Sequence, residues 1–489
     1  MASTESVSMY RRIVKATGML GGVQVFSILC SIVRNKCIAM WLGPTGVAVI
    51  GLYNTTIEMI SSLTGLGLRQ SAVRDISKAS GDDTTLKLVV SVVRRWSWFA
   101  GLLGAVVMLT AAPILSRFTF GDDAHLWGYV WLSCALLFNA LMAGDQAVLQ
   151  GTQRLRKLSV AGVAGNFTAL LLSLPLYYFY RFEGIVPSIL LSSVSTLFFV
   201  VLFSRKAVPV TEKMPIQEIW NRGKSMVTLG VYMTVSVFLA TLFNYLLINF
   251  IHHTAGDVEL GYYQAGYTIV TRYVGVVLAA MATEYYPRLA AVSDDSVELG
   301  RQVSRQIEAA LLILAPIVAL FFLLQDWVIQ ILYTDAFMRV EEYFAWAMVG
   351  VLFKAASWAM GFVLLAKGAG RLYLITEFIS EFSGLILSAT GYYFYGLEGI
   401  GVAYMLNFAL YGILMWVVCR RVYKMRFARE CYAVLGWTSV GCVAMTLLCR
   451  AEADYAGACA IACAGIIVIV ALGMLKKRLT NKSEDNIKS

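Results

Sequence analysis

Apolar runs of roughly 18 residues or more recur along the whole chain, each long enough to cross a bilayer. The polar segments between them are too short to bury cores of their own. The runs predict helices near 14–34, 46–68, 88–116, 126–150, 157–180 and 184–204. A second group falls near 225–251, 258–287, 303–333, 342–366, 372–395 and 397–419, and two more lie near 431–449 and 456–475. The expected fold is an all-α membrane protein of about fourteen transmembrane helices.

Composition agrees with that pattern. Of 489 residues, 59% are hydrophobic and only 14% charged, too few charges to cover a soluble domain of this length. The net charge of +10 sits in short loops, so it reads as a topology signal and not as a nucleic-acid surface. Alternate loops are basic: Arg69/Arg74/Lys78/Lys87, Arg154/Arg156/Lys157, Arg205/Lys206/Lys213/Arg222/Lys224, Arg288/Arg301/Arg305, Lys367/Arg371, Arg420/Arg421/Lys424/Arg426/Arg429 and the tail from Lys476. The intervening loops carry Asp122/Asp123, Glu183, Asp257/Glu259, Asp335/Glu341/Glu342, Glu398 and Glu452/Asp454, with Arg34, Lys36, Arg117, Arg181, Arg339 and Arg450 as exceptions. Lysine and arginine favour the cytoplasmic side, which puts both termini in the cytoplasm of a bacterial inner-membrane protein. The first apolar run is too long for a signal peptide and reads as a retained helix. The nine cysteines form no CxxC pair, and Cys459 and Cys463 share a face without further metal ligands, so they read as small apolar fillers.

The chain also repeats itself. LYYFYRFEGI at 176–185 matches GYYFYGLEGI at 391–400, and the same offset aligns Val148-Leu149 with Val363-Leu364 and Arg156 with Arg371. Farther upstream Gly51-Leu52-Tyr53 matches Gly261-Tyr262-Tyr263, and Asp122 matches Asp335. A duplicated unit with an even number of helices keeps its orientation, so two pseudo-symmetric six-helix lobes in a V, related by an axis along the membrane normal, are expected around a central cavity. The expected division is 1–207 for the first lobe, 208–224 for a linker, 225–425 for the second lobe and 426–489 for a terminal helix pair and cytoplasmic tail. Within the linker, Ile216, Ile219 and Trp220 have the spacing of a short helix on the membrane surface or of a plain polar connection.

Ionisable groups at membrane depth cost about 2.5–3.5 kcal/mol on insertion scales and mark candidate sites. Glu58, Arg272 and Lys354 fall near the midplane, and the repeat pairs Lys354 with Asn139, Arg272 with Ser62 and Glu58 with Thr268. Two readings stand: Glu58 and one cation form a structural ion pair, or Arg272 and Lys354 bind an anionic substrate group while Glu58 tunes them or exchanges an ion. Toward the basic edge lie Arg94, Arg95, Asp145, Glu308, Glu377 and Glu381. Arg94 and Arg95 either snorkel to headgroups or collect a substrate headgroup. Glu377 and Glu381, one turn apart, are candidates for ion coupling or gating together with Asp145 and Glu308. Arg34 ends the first helix, and Tyr263 and Tyr267 share a face that suits either packing or stacking on sugars.

Three stretches carry a family resemblance: LGPTGVAVIGLYN (42–54), LGYYQAGYTIVTRYVGVVLAAMATEYYPRLA (260–290) and WAMVGVLFKAASWAMGFVLLAKGAGRLYLITEFISE (346–381). With them the chain resembles the Wzx-type polysaccharide flippases of the MOP superfamily, which also holds the MATE drug exporters and the lipid II flippases. The likeness spans roughly residues 10–425, and the last two helices match the fourteen-helix pattern of lipid II flippases. It implies an undecaprenyl-pyrophosphate-linked glycan as substrate, turned between leaflets by alternating access, with an ion gradient or membrane potential in place of any cofactor. Implied partners are membrane lipids and polysaccharide polymerase or assembly proteins. A MATE-like exporter of small cations is the alternative transporter, but the first helix has no acid and the centre is basic. An embedded polymerase or transferase fits less well, because the outer loops are short and His125, His252 and His253 have no catalytic partner at useful spacing.

Overall fold

A computed structural model describes the backbone of residues 2–488 apart from 66, 80–81, 210–215 and 452–454. Side chains are described over residues 26–209, 234–451 and 455–477, apart from the same gaps and positions 70, 273, 283–284 and 287. In order, the helices are α1 (Ala2–Thr64), α2 (Leu68–Ala79), α3 (Asp83–Phe120), α4 (Leu126–Gly151), α5 (Leu155–Phe179), α6 (Ile185–Ala207), α7 (Ile216–Tyr267), α8 (Gly275–Ala291), α9 (Ser296–Leu332), α10 (Val340–Ala366), α11 (Gly370–Arg421), α12 (Arg429–Arg450) and α13 (Ala456–Lys488). A π-helical turn, Thr268–Tyr273, joins α7 to α8.

Among the described residues, eleven helices are long and apolar enough to cross a membrane. Three of them are too long for one crossing: α1 has 63 residues, and α7 and α11 have 52 each, against about 20 per span. Each bends at one non-helical glycine, Gly43 (φ 66°), Gly256 (φ 82°) or Gly396 (φ 59°). Eleven apolar helices, three of them long and bent, are in keeping with the many-span membrane fold that the hydrophobic pattern predicts. Large apolar side chains such as Ile114, Trp127, Phe198, Ile413 and Ile469 stay exposed on the helix surfaces, where lipid and not water is their solvent.

The duplication is visible in the backbone. Besides Gly396, the left-handed positions include Arg181 (φ 52°), its repeat equivalent, and the pair Gln153 (φ 54°) and Gly368 (φ 67°) has the same spacing. Asp82 caps α3 by accepting from the Thr84 and Thr85 amides, and its equivalent Asp295 caps α9 through Val297 and Glu298. The Thr85 hydroxyl and amide hold the Asp82 carboxyl below its usual range, and the Glu298 and Val297 amides do so for Asp295. Both caps therefore persist at neutral pH and weaken only as pH falls through those lowered values.

The YYFY-x-x-EGI motif has a steric explanation. In both copies the first tyrosine, Tyr177 or Tyr392, is buried and the next three aromatics face outward. The chain then reverses so closely that a Cβ on Gly184 would collide with the Leu176 carbonyl oxygen, and one on Gly399 with that of Gly391.

Three of the six basic residues that break the loop-charge alternation are paired with carboxylates. Arg117 makes two hydrogen bonds of 2.9 Å to Asp123, Arg339 pairs with Glu259 and Glu342, and Arg450 grips both oxygens of Glu398. Arg181 donates to the Trp41 carbonyl at 2.6 Å. The three carboxylate-paired arginines add little net charge to their loops.

By compactness the chain divides into Met1–His252 and His253–Ser489. Most of α7, the first helix of the second repeat, thus belongs with the first six spans. The first unit packs around Tyr53, Ile57, Met108, Tyr129, Leu132 and Leu136. In the second, Leu311, Val318, Phe344, Met348 and Leu352 of α9 and α10 are fully buried. The expected linker helix is continuous with α7 from Ile216, and residues 210–215 fall outside the described set.

At Gly396 a Cβ meets no neighbour, so Gly396→Ala carries only the left-handed backbone cost of about 1–2 kcal/mol. Gly399, whose φ is not positive, carries no such cost, but a Cβ there collides with the Gly391 backbone. Thermal unfolding of the detergent-solubilised protein should rank wild type above Gly396→Ala and Gly396→Ala above Gly399→Ala; equal midpoints for all three would refute this account of the motif.

Candidate functional site

The first unit encloses a cavity of about 530 Å³, within the size range of small-molecule sites. Its space comes from small residues: Ala140, Ala143 and Gly144 share one face of α4 with Asn139, and Ala100 of α3 adjoins them. The opposite walls are Glu58, Ser61, Ser62 and Thr64 of α1, Arg69 of α2, and Thr241 of α7. The structure therefore brings Glu58 and Asn139 into one site and adds Arg69, which the sequence reading counted only as a loop charge.

The hydroxyls here are oriented by their own helices. Thr64 donates to the Ile60 carbonyl at 2.9 Å, Ser62 to Met59 at 2.7 Å and Thr241 to Val237 at 3.0 Å, while Ser62 and Thr241 lie 2.9 Å apart. A hydroxyl that donates backward leaves lone pairs free to accept. Together with the Glu58 carboxylate and the Asn139 amide, the wall offers many acceptors, which suits a ligand rich in O–H groups.

Toward the basic end, Arg94 and Asp145 form a separate buried network. The Arg94 Nε donates to Asp145 at 3.0 Å, and its other nitrogens donate to the Val208 carbonyl and the Ser204 hydroxyl at 3.0 and 3.1 Å. Ser204 in turn donates to Asp145 at 2.7 Å. One guanidinium thus ties α3, α4 and the end of α6 together. Arg95, the next residue, is half-buried.

A second polar cluster occupies the interior of the second unit. The Lys354 amine donates to the Tyr404 hydroxyl at 3.2 Å and lies 5.0 Å from the Phe408 ring centre, a cation–π distance. Glu381 and Tyr267 are within its electrostatic reach. Glu377, one turn from Glu381, accepts from the Tyr411 hydroxyl at 2.6 Å. Tyr263 is buried between Tyr267 and Tyr343, with ring centres 5.8 and 5.9 Å away. So Lys354, Tyr263, Tyr267, Glu377 and Glu381 converge, and Tyr404, Phe408 and Tyr411 complete the group. Nothing in the local sequence marks those last three, because the repeat aligns them with Ile189, Ser193 and Thr196.

The remaining candidates lie elsewhere. Arg272 is exposed on the π-helical turn, Glu308 is buried in α9, and Arg34 is half-buried near Cys30 and Tyr177 with its Nε lacking a hydrogen-bond partner. At the end that carries the acidic loops, His125 stacks on Phe120 at 3.7 Å and shares a 2.8 Å hydrogen bond with Tyr53, and Phe120 also meets His252. No cluster of three or more metal-ligating side chains occurs among the described residues.

Residues 38–342 match the family described as "Polysaccharide biosynthesis protein". The chain belongs to that family. Among curated relatives, the lipid III flippase of Escherichia coli (strain K12) is 24% identical over 395 residues, covering 77% of this chain and 91% of that protein, and the lipid III flippase of Shigella flexneri matches equally. The family member shares its fold with solved MOP-superfamily structures. An inward-facing MATE multidrug transporter aligns over 84% of this chain and 95% of its own, with TM-score 0.69 and 17% identity. The lipid II flippase MurJ, in an inward closed conformation, aligns over 96% of this chain and 100% of its own, with TM-score 0.69 and 11% identity.

Because Arg94 and Asp145 are both largely buried, Asp145→Ala leaves a guanidinium without its carboxylate, a loss of about 3–5 kcal/mol. The double replacement Arg94→Met/Asp145→Leu should recover most of it. Thermal midpoints in detergent decide the matter, and an Asp145→Ala protein as stable as wild type would contradict the pinning role.

Proposed function

We propose that this protein is a flippase that moves an undecaprenyl-pyrophosphate-linked oligosaccharide from the cytoplasmic to the periplasmic leaflet by alternating access. The observation that carries the reading is the acceptor-rich cavity of the first unit, placed among membrane-spanning helices. Such a wall is costly in a bilayer unless it serves a polar cargo, and sugars supply the matching hydroxyl donors. Membership of a polysaccharide biosynthesis family and likeness to lipid III and lipid II flippases support the same substrate class.

In this reading the basic loops and both termini face the cytoplasm. Asn139 and the neighbouring hydroxyls of the first unit hold sugar, Arg272 and Lys354 are the basic residues that the second unit offers to an anionic group, and the polyprenyl tail stays in lipid. Glu58, Glu377 and Glu381 exchange the coupling ion. Lys354 suits this work because its charge is held by aromatic faces and a hydroxyl and remains responsive to Glu381. The half-buried Arg34 and Arg95 add positive potential to the first unit.

Depleting the protein should make undecaprenyl-linked glycan accumulate on the cytoplasmic leaflet, and wild type should cure this. Arg272→Ala and Lys354→Ala, present in the membrane at normal levels, should each fail to cure it. Unchanged lipid intermediates combined with raised dye or drug sensitivity would replace the flippase reading with a MATE-like exporter.

A further inference from the structure

An apolar slot of about 280 Å³ opens on the flank of the second unit. Its floor is Ile307 of α9 with Phe353 and Met360 of α10. Its walls are α11, from Phe408 to Trp416, and α12, from Cys431 to Leu435. Ile413 and Tyr432 line the slot and are also exposed on the helix surfaces, so it opens toward lipid. Gly412 helps to leave the space: a Cβ there would meet only the Ser357 Cβ, at 4.0 Å. Water finds few partners between these aliphatic and aromatic walls. Left empty, the same walls forfeit their dispersion contacts. A hydrocarbon chain from the bilayer meets both demands.

One end of the slot carries the groups of a headgroup site. Trp416 of α11 donates from Nε1 to the Tyr432 hydroxyl of α12 at 2.7 Å, which leaves the tyrosine proton to donate onward. Arg420, one turn beyond Trp416, lays its guanidinium 5.1 Å from that ring's centre. Arg429 stands one turn before Tyr432 on α12, so both walls continue into an arginine. Residues 420–430 hold five cations and one carboxylate, that of Glu430. Among the described residues none of the five is paired with a carboxylate. The segment that carries them is fixed in place. Met425 is buried and its amide donates to the Cys419 carbonyl at 3.1 Å, and the Ala428 amide donates to the Ser304 hydroxyl at 3.0 Å.

We infer that this slot binds an anionic phospholipid of the leaflet at the basic end, with one acyl chain between α11 and α12 and the phosphate between Arg420 and Arg429. Guanidinium forks match phosphate oxygens in pairs. Five cations without carboxylate partners favour a headgroup of net negative charge and repel the amine of phosphatidylethanolamine. The site also touches the polar cluster of the second unit, because Phe408 lines the slot and lies 5.0 Å from the Lys354 amine. A bound chain therefore braces one wall of that cluster. The lipid site stands on the slot and its cations and holds whatever cargo the protein moves.

Native mass spectrometry of the full-length protein in detergent, titrated with dioleoyl phosphatidylglycerol or dioleoyl phosphatidylethanolamine, reads the site directly. Wild type should hold phosphatidylglycerol about 10-fold more tightly than phosphatidylethanolamine. The double variant Arg420→Ala/Arg429→Ala should bind phosphatidylglycerol about 30-fold more weakly. Arg420→Lys/Arg429→Lys, which keeps both charges and guards against a folding defect, should lose less. Gly412→Leu fills the slot, keeps every charge and should weaken phosphatidylglycerol roughly 10-fold or more. Arg156→Ala, a basic loop change in the first unit, should bind it as wild type does. Phosphatidylglycerol should also raise the thermal midpoint of wild type but not of Gly412→Leu. Equal wild-type affinity for the two lipids overturns the proposal, as does wild-type phosphatidylglycerol affinity in the double alanine variant or in Gly412→Leu. An equal loss in Arg156→Ala overturns it too, since the attraction is then diffuse. Displacement of phosphatidylglycerol by an equal concentration of farnesol assigns the slot to a prenyl chain and likewise overturns the phospholipid site.

Discussion

A bilayer core offers no hydrogen bonds, and every other feature of this protein follows from that constraint. Backbone polar groups must be satisfied within each crossing segment, so the chain is helical nearly throughout. Departures from helix fall at a few points: Gly43, Gly256, Gly396 and Arg181 turn the chain between spans. Ionisable side chains obey the same rule. Arg94 is closed into a network with Asp145, Ser204 and Val208, and Arg117, Arg181 and Arg450 at the acidic end are tied to carboxylates or a carbonyl. Against that background, the polar cavity lining of the first unit and the Lys354 cluster of the second are places where polar groups gather among the described residues.

Duplication supplied one backbone twice, and the side chains have since diverged in function. Left-handed residues and helix caps recur at equivalent positions, since the path of the chain demands them in both copies. The chemistry does not recur. Asn139 helps line an open cavity in the first unit, while its equivalent Lys354 is enclosed by Tyr404 and Phe408 in the second. The first copy has Ile189 and Ser193 at the positions of those two aromatics and has no means of holding a cation there. The two units thus differ in the polar groups they enclose.

The same helical frame serves an inward-facing MATE transporter and the lipid II flippase MurJ at very low identity. A shared frame therefore carries no substrate preference by itself, and cargo is decided by which side chains line the spaces within it. Here the cavity of the first unit is lined by hydroxyls together with Asn139, Glu58 and Arg69.

The membrane-spanning helical character and the duplication were legible in the amino-acid sequence. Span length and loop charge depend on local composition, and internal repeats survive as matching letters. The tightness of the YYFY-x-x-EGI turn is also local, so its glycines were visible before their steric reason was. The side-chain partnerships were not legible, because they join residues far apart in the chain. Asp145 meets Arg94 across 51 positions, Lys354 meets Tyr404 across 50, and Ser62 meets Thr241 across 179. Only helix packing determines that Arg94 is consumed in a structural network while Arg69, an ordinary loop cation by its sequence, borders the cavity. Sequence periodicity reports which face of a helix is apolar; which polar groups on different helices meet is decided by tertiary contact.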